Sequence, residues 1–343
     1  MSQWSDLDPA TASCRKDYSY WTTSSFMVTA YSVLSLVNFP LSIVAFYAIA
    51  RKTPKAMMKM KNALVFSQLC STNLDICVTL LGCPYAFFPS VSGLAIGILS
   101  RFGVKMIWQA YWGQVSISMI GVAFVMLYEN RQSQISTIKF KIKKEKYRRV
   151  YCLVLIVLAF LSMLPFYLTE HDQIELRKVT LQRIPCPVIE FFDPNTYVLL
   201  KGGESAPFYT VSAFTFYIMG QTLFFAIHVI YHTVLIQNVQ LSKETRKLQR
   251  KFLGYITLQC AIPLIAIILP TAYSFFADKY DYYNQAYNNF AILAFASHGI
   301  LATGTTLLIY KPYRDFVISA WRKQPQVSAP PSHTENGREI FSA

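Results

Sequence analysis

The sequence predicts an all-α membrane protein, a bundle of seven transmembrane helices with the amino terminus outside and the carboxyl terminus inside. Three observations carry that prediction. The 343 residues are 53% hydrophobic and only 15% charged, with a mean hydropathy of +0.32, which is too apolar for a soluble globule of that length. Seven apolar stretches recur, each long enough to cross a hydrocarbon layer of about 30 Å at about 1.5 Å per residue. The connections between them alternate between strongly cationic and near-neutral, the charge pattern that orients a polytopic chain.

Taken in order, residues 1–25 are polar, lack the basic-apolar-small progression of a cleavable signal peptide, and are expected as a short outer segment. The spans are expected at about 26–50, 63–88, 104–129, 150–168, 208–236, 252–276 and 286–310, making a 26–310 bundle. Pro40, Pro84, Pro165, Pro263 and Pro270 fall inside spans, where neighbouring helices satisfy the carbonyls that proline frees. Residues 311–323 read as an amphipathic surface helix, with Phe316, Val317, Ala320 and Trp321 on one face. After Pro325 the chain turns polar and rich in Pro and Ser, so 324–343 is expected as a disordered inner tail.

The net charge of +14 resolves by position. Segments 51–62, 130–149, 237–252 and the tail from Lys311 together carry +18, whereas the amino terminus and segments 89–105, 169–207 and 277–285 together carry −2. The excess is thus a topology signal and an attraction for anionic inner-leaflet lipids, and no nucleic-acid partner is implied. Of the seven cysteines, Cys70, Cys77, Cys83, Cys152 and Cys260 fall in spans and read as small packing residues. Cys14 and Cys186 fall on the oxidising side, where a disulfide between them is expected over two free thiols.

Aromatic residues crowd the outer halves of four spans. Trp108, Tyr111 and Trp112 lie on the third, Tyr209, Phe216 and Tyr217 on the fifth, Tyr273 and Phe276 on the sixth, and Tyr287 and Phe290 on the seventh. Together they would form a cup for a small, mostly apolar ligand with one or two polar handles. The alternative for each ring is an interfacial belt or helix packing, and Tyr282 and Tyr283 belong to that belt. Inside the bundle, Asn38, Asp75 and His298 lie at similar depth on spans one, two and seven and read as one hydrogen-bonded cluster that sets the state of the bundle, or as separately satisfied polar groups.

Other functional classes fit less well. No lysine lies between Ala286 and Tyr310 to hold retinal as a Schiff base. His228 and His232 have the i, i+4 spacing of zinc ligands but lack the glutamate and third ligand of a zinc hydrolase, so no metal, cofactor or catalytic set is expected and no enzyme is read from the chain. A seven-helix transporter or ligand-gated channel is the alternative. Asp75 and Glu129 are its only span carboxylates, too few for a charge-lined path.

The chain carries, in order, Lys52-Thr53-Pro54-Lys55, Phe102-Gly103-Val104, Glu129-Asn130-Arg131, Pro185-Cys186-Pro187, Asp193-Pro194-Asn195, Gln249-Arg250-Lys251-Phe252, His298-Gly299 and Lys311-Pro312-Tyr313-Arg314. In their order and spacing these landmarks are similar to those of the nematode serpentine receptor class H family of chemoreceptors. The resemblance covers about Cys14 to Trp321. It implies a G-protein-coupled receptor in the plasma membrane, in the sensory cilium of chemosensory neurons, that senses a small external molecule and signals through a heterotrimeric G protein. Monomer and dimer both remain open.

The chain lacks the Asp-Arg-Tyr and Asn-Pro-x-x-Tyr landmarks of rhodopsin-like receptors, so its inner switch must use other residues. Glu129 near a helix carboxyl end wants a cation. Arg131, two residues on, points elsewhere. Glu129 is therefore expected to pair with Arg250 or Lys251 at the foot of the sixth span in the off state, with Arg131 meeting the G protein in the on state. The plainer alternative is that Glu129 and Arg131 only flank a span at headgroup level.

Overall fold

The computed structural model describes residues 19–135, 138–162, 164–168, 172–184, 186–199, 205–236 and 242–322. The expected outer segment is thus described only from residue 19, and the expected tail 324–343 lies outside the described residues. Among the described residues, seven helices are long and apolar enough to cross a membrane.

Helix α1 (Ser24–Lys52) opens on Thr23, whose hydroxyl accepts from the Phe26 N–H at 3.2 Å. Helix α2 (Lys61–Ile76) continues as a π-helical turn over Cys77–Leu81. Strands β1 (Pro84–Ala86) and β2 (Ser92–Ala95) and the short α3 (Ile98–Arg101) lead to α4 (Met106–Gln134). The fourth span is covered by α5 (Glu145–Leu161) and α6 (Leu164–Leu168). Within the following loop lie α7 (Gln173–Arg183), capped by the Asp172 carboxylate, and β3 (Tyr197–Val198). The fifth span is α8 (Ser205–Ile230) with a π-helical turn Tyr231–Leu235, and the sixth is α9 (Lys243–Lys279), which contains Pro263 and Pro270. The seventh is α10 (Gln285–Ala296) followed by α11 (His298–Ile309), and α12 (Lys311–Arg322) closes the described chain.

Several boundaries differ from expectation. The second span stops at Leu81 and not at 88, because Gly82, Cys83 at φ +47° and Pro84, which has no N–H to donate, end the helix and turn the chain into a strand. The basic ends of the third, fourth and sixth spans begin or end in polar and charged residues that hydropathy excludes. Helices α4, α5 and α9 therefore reach Gln134, Glu145 and Lys243, since helix propensity does not stop where hydrocarbon does. The seventh span is two helices. The Ser297 hydroxyl donates to the Ala294 carbonyl at 2.7 Å, a back-bond of the kind that bends helices.

Helix α4 is the central rod, touching α2, α5, α8 and α9. Its contact with α8 is close at Gly121, where a Cβ would come within 2.8 Å of the Ile218 side chain, the small-residue packing that helices use in lipid. Its residues Val122, Val125 and Leu127 join Ile49 of α1, Leu64 and Leu74 of α2 and Leu307 of α11 in one buried apolar cluster. The outward surface is also apolar, with Leu36, Phe39 and Leu269 exposed, as suits lipid contact. Helix α12 folds back on α1: the Tyr313 hydroxyl lies 2.8 Å from that of Thr53, and Phe316 meets Tyr47 and Lys52.

Candidate functional site

At one end of the bundle the loops build a lid. The three strands form an antiparallel sheet in the order β1-β2-β3, with Tyr85 opposite Leu94 and Gly93 opposite Tyr197. Its turn-rich backbone leaves carbonyls that the helix ends satisfy. The Tyr31 hydroxyl donates to Pro84 O at 2.6 Å and that of Tyr85 to Thr22 O. Gln285, Asn288 and Asn289, one face of the first turns of α10, donate to the carbonyls of Ala86, Phe88 and Trp21 at 3.0, 3.0 and 2.8 Å. Tyr85, Phe87 and Phe191 give the lid an apolar core of its own. Two further links tie the long loop down. Glu190 accepts from the Ser24 N–H at 2.9 Å, and Arg183 pairs with Asp278 and Asp281 at 3.0 and 2.6 Å.

In mid-bundle, α2 is the polar hub. Its Gln68 donates to Thr303 of α11 at 2.9 Å, Thr72 to Ser42 of α1 at 3.3 Å and Asn73 to Ser116 of α4 at 2.7 Å. Interhelical bonds of this kind contribute about 0.6 to 2 kcal/mol each in a bilayer. Asp75 and His298 face one another at 3.6 Å, 2% and 0% exposed, and neither the Asp75 oxygens nor His298 Nε2 has a hydrogen-bond partner among the described residues. The carboxylate lies directly against Gly299, where any Cβ would overlap it. Both residues stand beside an irregular turn, the π turn after Ile76 and the break at Ser297, the places where helices store alternative arrangements. Asn38 is buried but its amide has no hydrogen-bond partner among the described residues, so the expected trio is a juxtaposed Asp–His pair and a separate amide, not a hydrogen-bonded cluster.

At the opposite, basic end one turn of α4 reaches three helices. Glu129 accepts from Arg148 of α5 through both carboxylate oxygens, at 2.7 and 2.9 Å, and is 2% exposed. Tyr128 donates to Thr257 of α9 at 3.3 Å, and Gln132 bonds the His228 ring of α8 at 2.6 Å. Arg131, 5% exposed, donates to the Gln249 carbonyl at 3.2 Å and lies over the Phe252 ring. The expected partners of Glu129 are elsewhere. Arg250 reaches back to the Thr233 and Val234 carbonyls that end α8, and Lys251 lies over Tyr255. The correction has a simple cause: Arg148 begins the helix that packs directly on α4, and its planar fork matches a carboxylate in a way no lysine can. His228 and His232 stack at 4.9 Å, and no group of three metal-ligating side chains exists among the described residues.

The aromatic rings do not converge into a cup. Phe216, Tyr287 and Phe276 are 66, 54 and 51% exposed, and Trp108, Trp112, Tyr217 and Phe290 also face outward, the belt arrangement. Tyr111 and Tyr273 instead turn to protein partners, donating to the Phe160 carbonyl at 2.9 Å and to Asn288 at 2.8 Å. The Tyr209 side chain lies outside those described. Cys186 is disulfide-bonded, whereas Cys14 lies outside the described residues; the five span cysteines are free.

Sequence reasoning missed Arg148, Gln132 and the Gln285, Asn288, Asn289 latch. The latch had a signal, because three amides at i, i+3 and i+4 share a helix face. The Glu129–Arg148 pairing had none, since it depends on which helices are neighbours.

Two comparisons place this arrangement among known proteins. The model of the family described as serpentine type 7TM GPCR chemoreceptor Srh matches residues 22–323. The chain is also 24% identical over 315 residues to serpentine receptor class H-72 of Caenorhabditis elegans, covering 91% of this chain and 90% of that one. With seven spanning helices, a loop lid at one end and a polar network at the other, the chain belongs to the serpentine type 7TM GPCR chemoreceptor Srh family.

Proposed function

We propose that this protein is a plasma-membrane receptor, not an enzyme, that binds a small external molecule beneath or beside the loop lid and activates a heterotrimeric G protein at the basic end. Membership of a chemoreceptor family supports the class of function. The loop charges support the orientation, with the lid outside and the cationic end in the cytosol. Membership of a chemoreceptor family supports placement in a sensory cilium.

The observation that carries the reading is the α4 rod. It runs 29 residues, about 43 Å at about 1.5 Å per residue, from the lid to the turn that grips α5, α8 and α9. A ligand that moves its outer end can therefore bias contacts at its inner end without any change between. In the off state Arg148 holds Glu129 and α9 buries Arg131. In the on state that grip is released and Arg131 meets the G protein. The Asp75 and His298 pair beside α4 is assigned the second switching role, supported by its burial and its 3.6 Å approach between α2 and α11.

The test is expression of the full chain in cells with a panel of volatile and water-soluble chemicals and a second-messenger readout. A response abolished by removing G protein is expected. Uptake or current that persists without G protein would instead make the chain a transporter or channel.

A further inference from the structure

A cavity of about 290 Å³ opens on the lid face beside the first turn of α4. Its walls are β2, the turn between α3 and α4, the start of α4, α7 and the turn before β3. That volume lies near the lower end for a small-molecule site.

Its charge is one-sided. Lys105 and Arg177 line it, and among the described residues no acidic side chain does. The Lys105 ammonium is exposed and forms no hydrogen bond or ion pair among the described residues. Arg177 is 2% exposed, with its guanidinium donating to the carbonyls of Asp193 and Pro194 at 3.0 Å each and to that of Thr196. Burial lowers its pKa to about 10 against the opposing pull of the Asp193 carboxylate nearby, so it stays cationic at neutral pH with part of its field offset by that anion. A third positive contribution comes from α4, whose N-terminal N–H groups receive no side-chain cap from Lys105.

The walls are also held rigidly. Gln173 of α7 pairs with both backbone groups of Val198, at 3.2 and 2.9 Å. Gln109 ties the α3–α4 turn by donating to Ser100 at 3.1 Å and to Val104 O at 2.7 Å. Ala95, Val104 and Met106 add apolar surface next to the cations. A preformed pocket with apolar walls, one unengaged ammonium and a positive field describes a receptor for a small acid.

We propose that this cavity receives a small organic anion, a carboxylate with a short apolar body. Its charge meets Lys105 and the first turn of α4, Arg177 supplies field from behind while holding the wall, and the apolar body lies on Val104 and Met106. The proposal rests on the receptor reading above, since it takes this face to be outside and names the ligand class for the outer end of the same rod.

The experiment measures thermal stability of the purified full-length protein in phosphatidylcholine nanodiscs. The probes are hexanoate, benzoate and phenylacetate, with the matching alcohols and hexylammonium as controls. Stabilisation by at least one carboxylate and by none of the controls is expected. Lys105→Gln should raise the half-saturating concentration about 10- to 100-fold, the effect of losing a charge-assisted hydrogen bond, and Lys105→Arg should change it by much less. No stabilisation by any carboxylate, or stabilisation unaltered in Lys105→Gln, overturns the proposal. So does Lys105-dependent stabilisation by added phosphatidylserine with none by the soluble acids, which would assign the site to a lipid headgroup. Lys105-dependent binding with no second-messenger response in cells sustains the cavity and sinks the receptor reading. Signalling by neutral compounds that ignores Lys105 does the reverse.

Discussion

Glu129→Gln is the most informative single change at the basic end. In the wild type the carboxylate is 2% exposed and takes two charge-assisted hydrogen bonds from Arg148. The substitution keeps the shape, removes the charge and leaves one donor facing another. Breaking a fully buried pair costs about 3 to 5 kcal/mol. The Arg148 side chain, however, is 23% exposed and can rehydrate, which reduces the cost to about 1.5 to 3 kcal/mol, the range of one hydrogen bond to a charged group. If the pair exists only in the off state, that loss multiplies the on:off ratio about 10- to 100-fold. A receptor resting at about 1% active would rise to roughly 10 to 50%. The assay is ligand-free second-messenger output at matched surface expression, read for Glu129→Gln, Arg148→Gln and the double variant. The two single variants should raise basal output alike and the double variant should add little, because both remove one interaction. Unchanged basal output in both single variants, with surface expression equal, refutes the reasoning.

Further expectations concern the middle and the lid. Gly299→Ala inserts a Cβ into the Asp75 carboxylate and should destabilise by about 1 to 3 kcal/mol as an overpacked core site, seen as a lower thermal midpoint of the purified protein. Asp75→Asn should cut the ligand-evoked response several-fold while surface expression is kept; an intact response would leave the Asp75 and His298 pair without a switching role. Arg177→Lys cannot reach three carbonyls with a point charge, so the 169–204 loop should become sensitive to limited proteolysis, whereas resistance equal to wild type would show that the fork does not hold the wall.

Much of the architecture was legible in residue order because lipid imposes a one-dimensional rule: each crossing must be apolar along its whole length. Phe26 to Ala50 or Val104 to Tyr128 announce themselves without a partner. Breaks inside spans were harder to see. Pro84 read as a tolerated kink, yet with Gly82 and a left-handed Cys83 it ends the second span, and Ser297 carries no strong local signal at all. Ring positions failed for a different reason. Phe216 and Tyr287 occupy the right depth, but depth follows from residue count while facing depends on how each rod is rotated against its neighbours.

The chain by itself therefore determined the number of spans, the cationic end and the depth at which Asp75 and His298 meet, since each follows from hydropathy, charge and rise per residue. Only the tertiary structure decided that Arg148 and not Arg250 holds Glu129, that amides of α10 latch the lid, and that Lys105 and Arg177 share a cavity although 72 positions apart. Those pairings depend on which helices are neighbours and which faces they present. Adjacency of that kind is a property of packing in three dimensions, and no spacing along the chain encodes it.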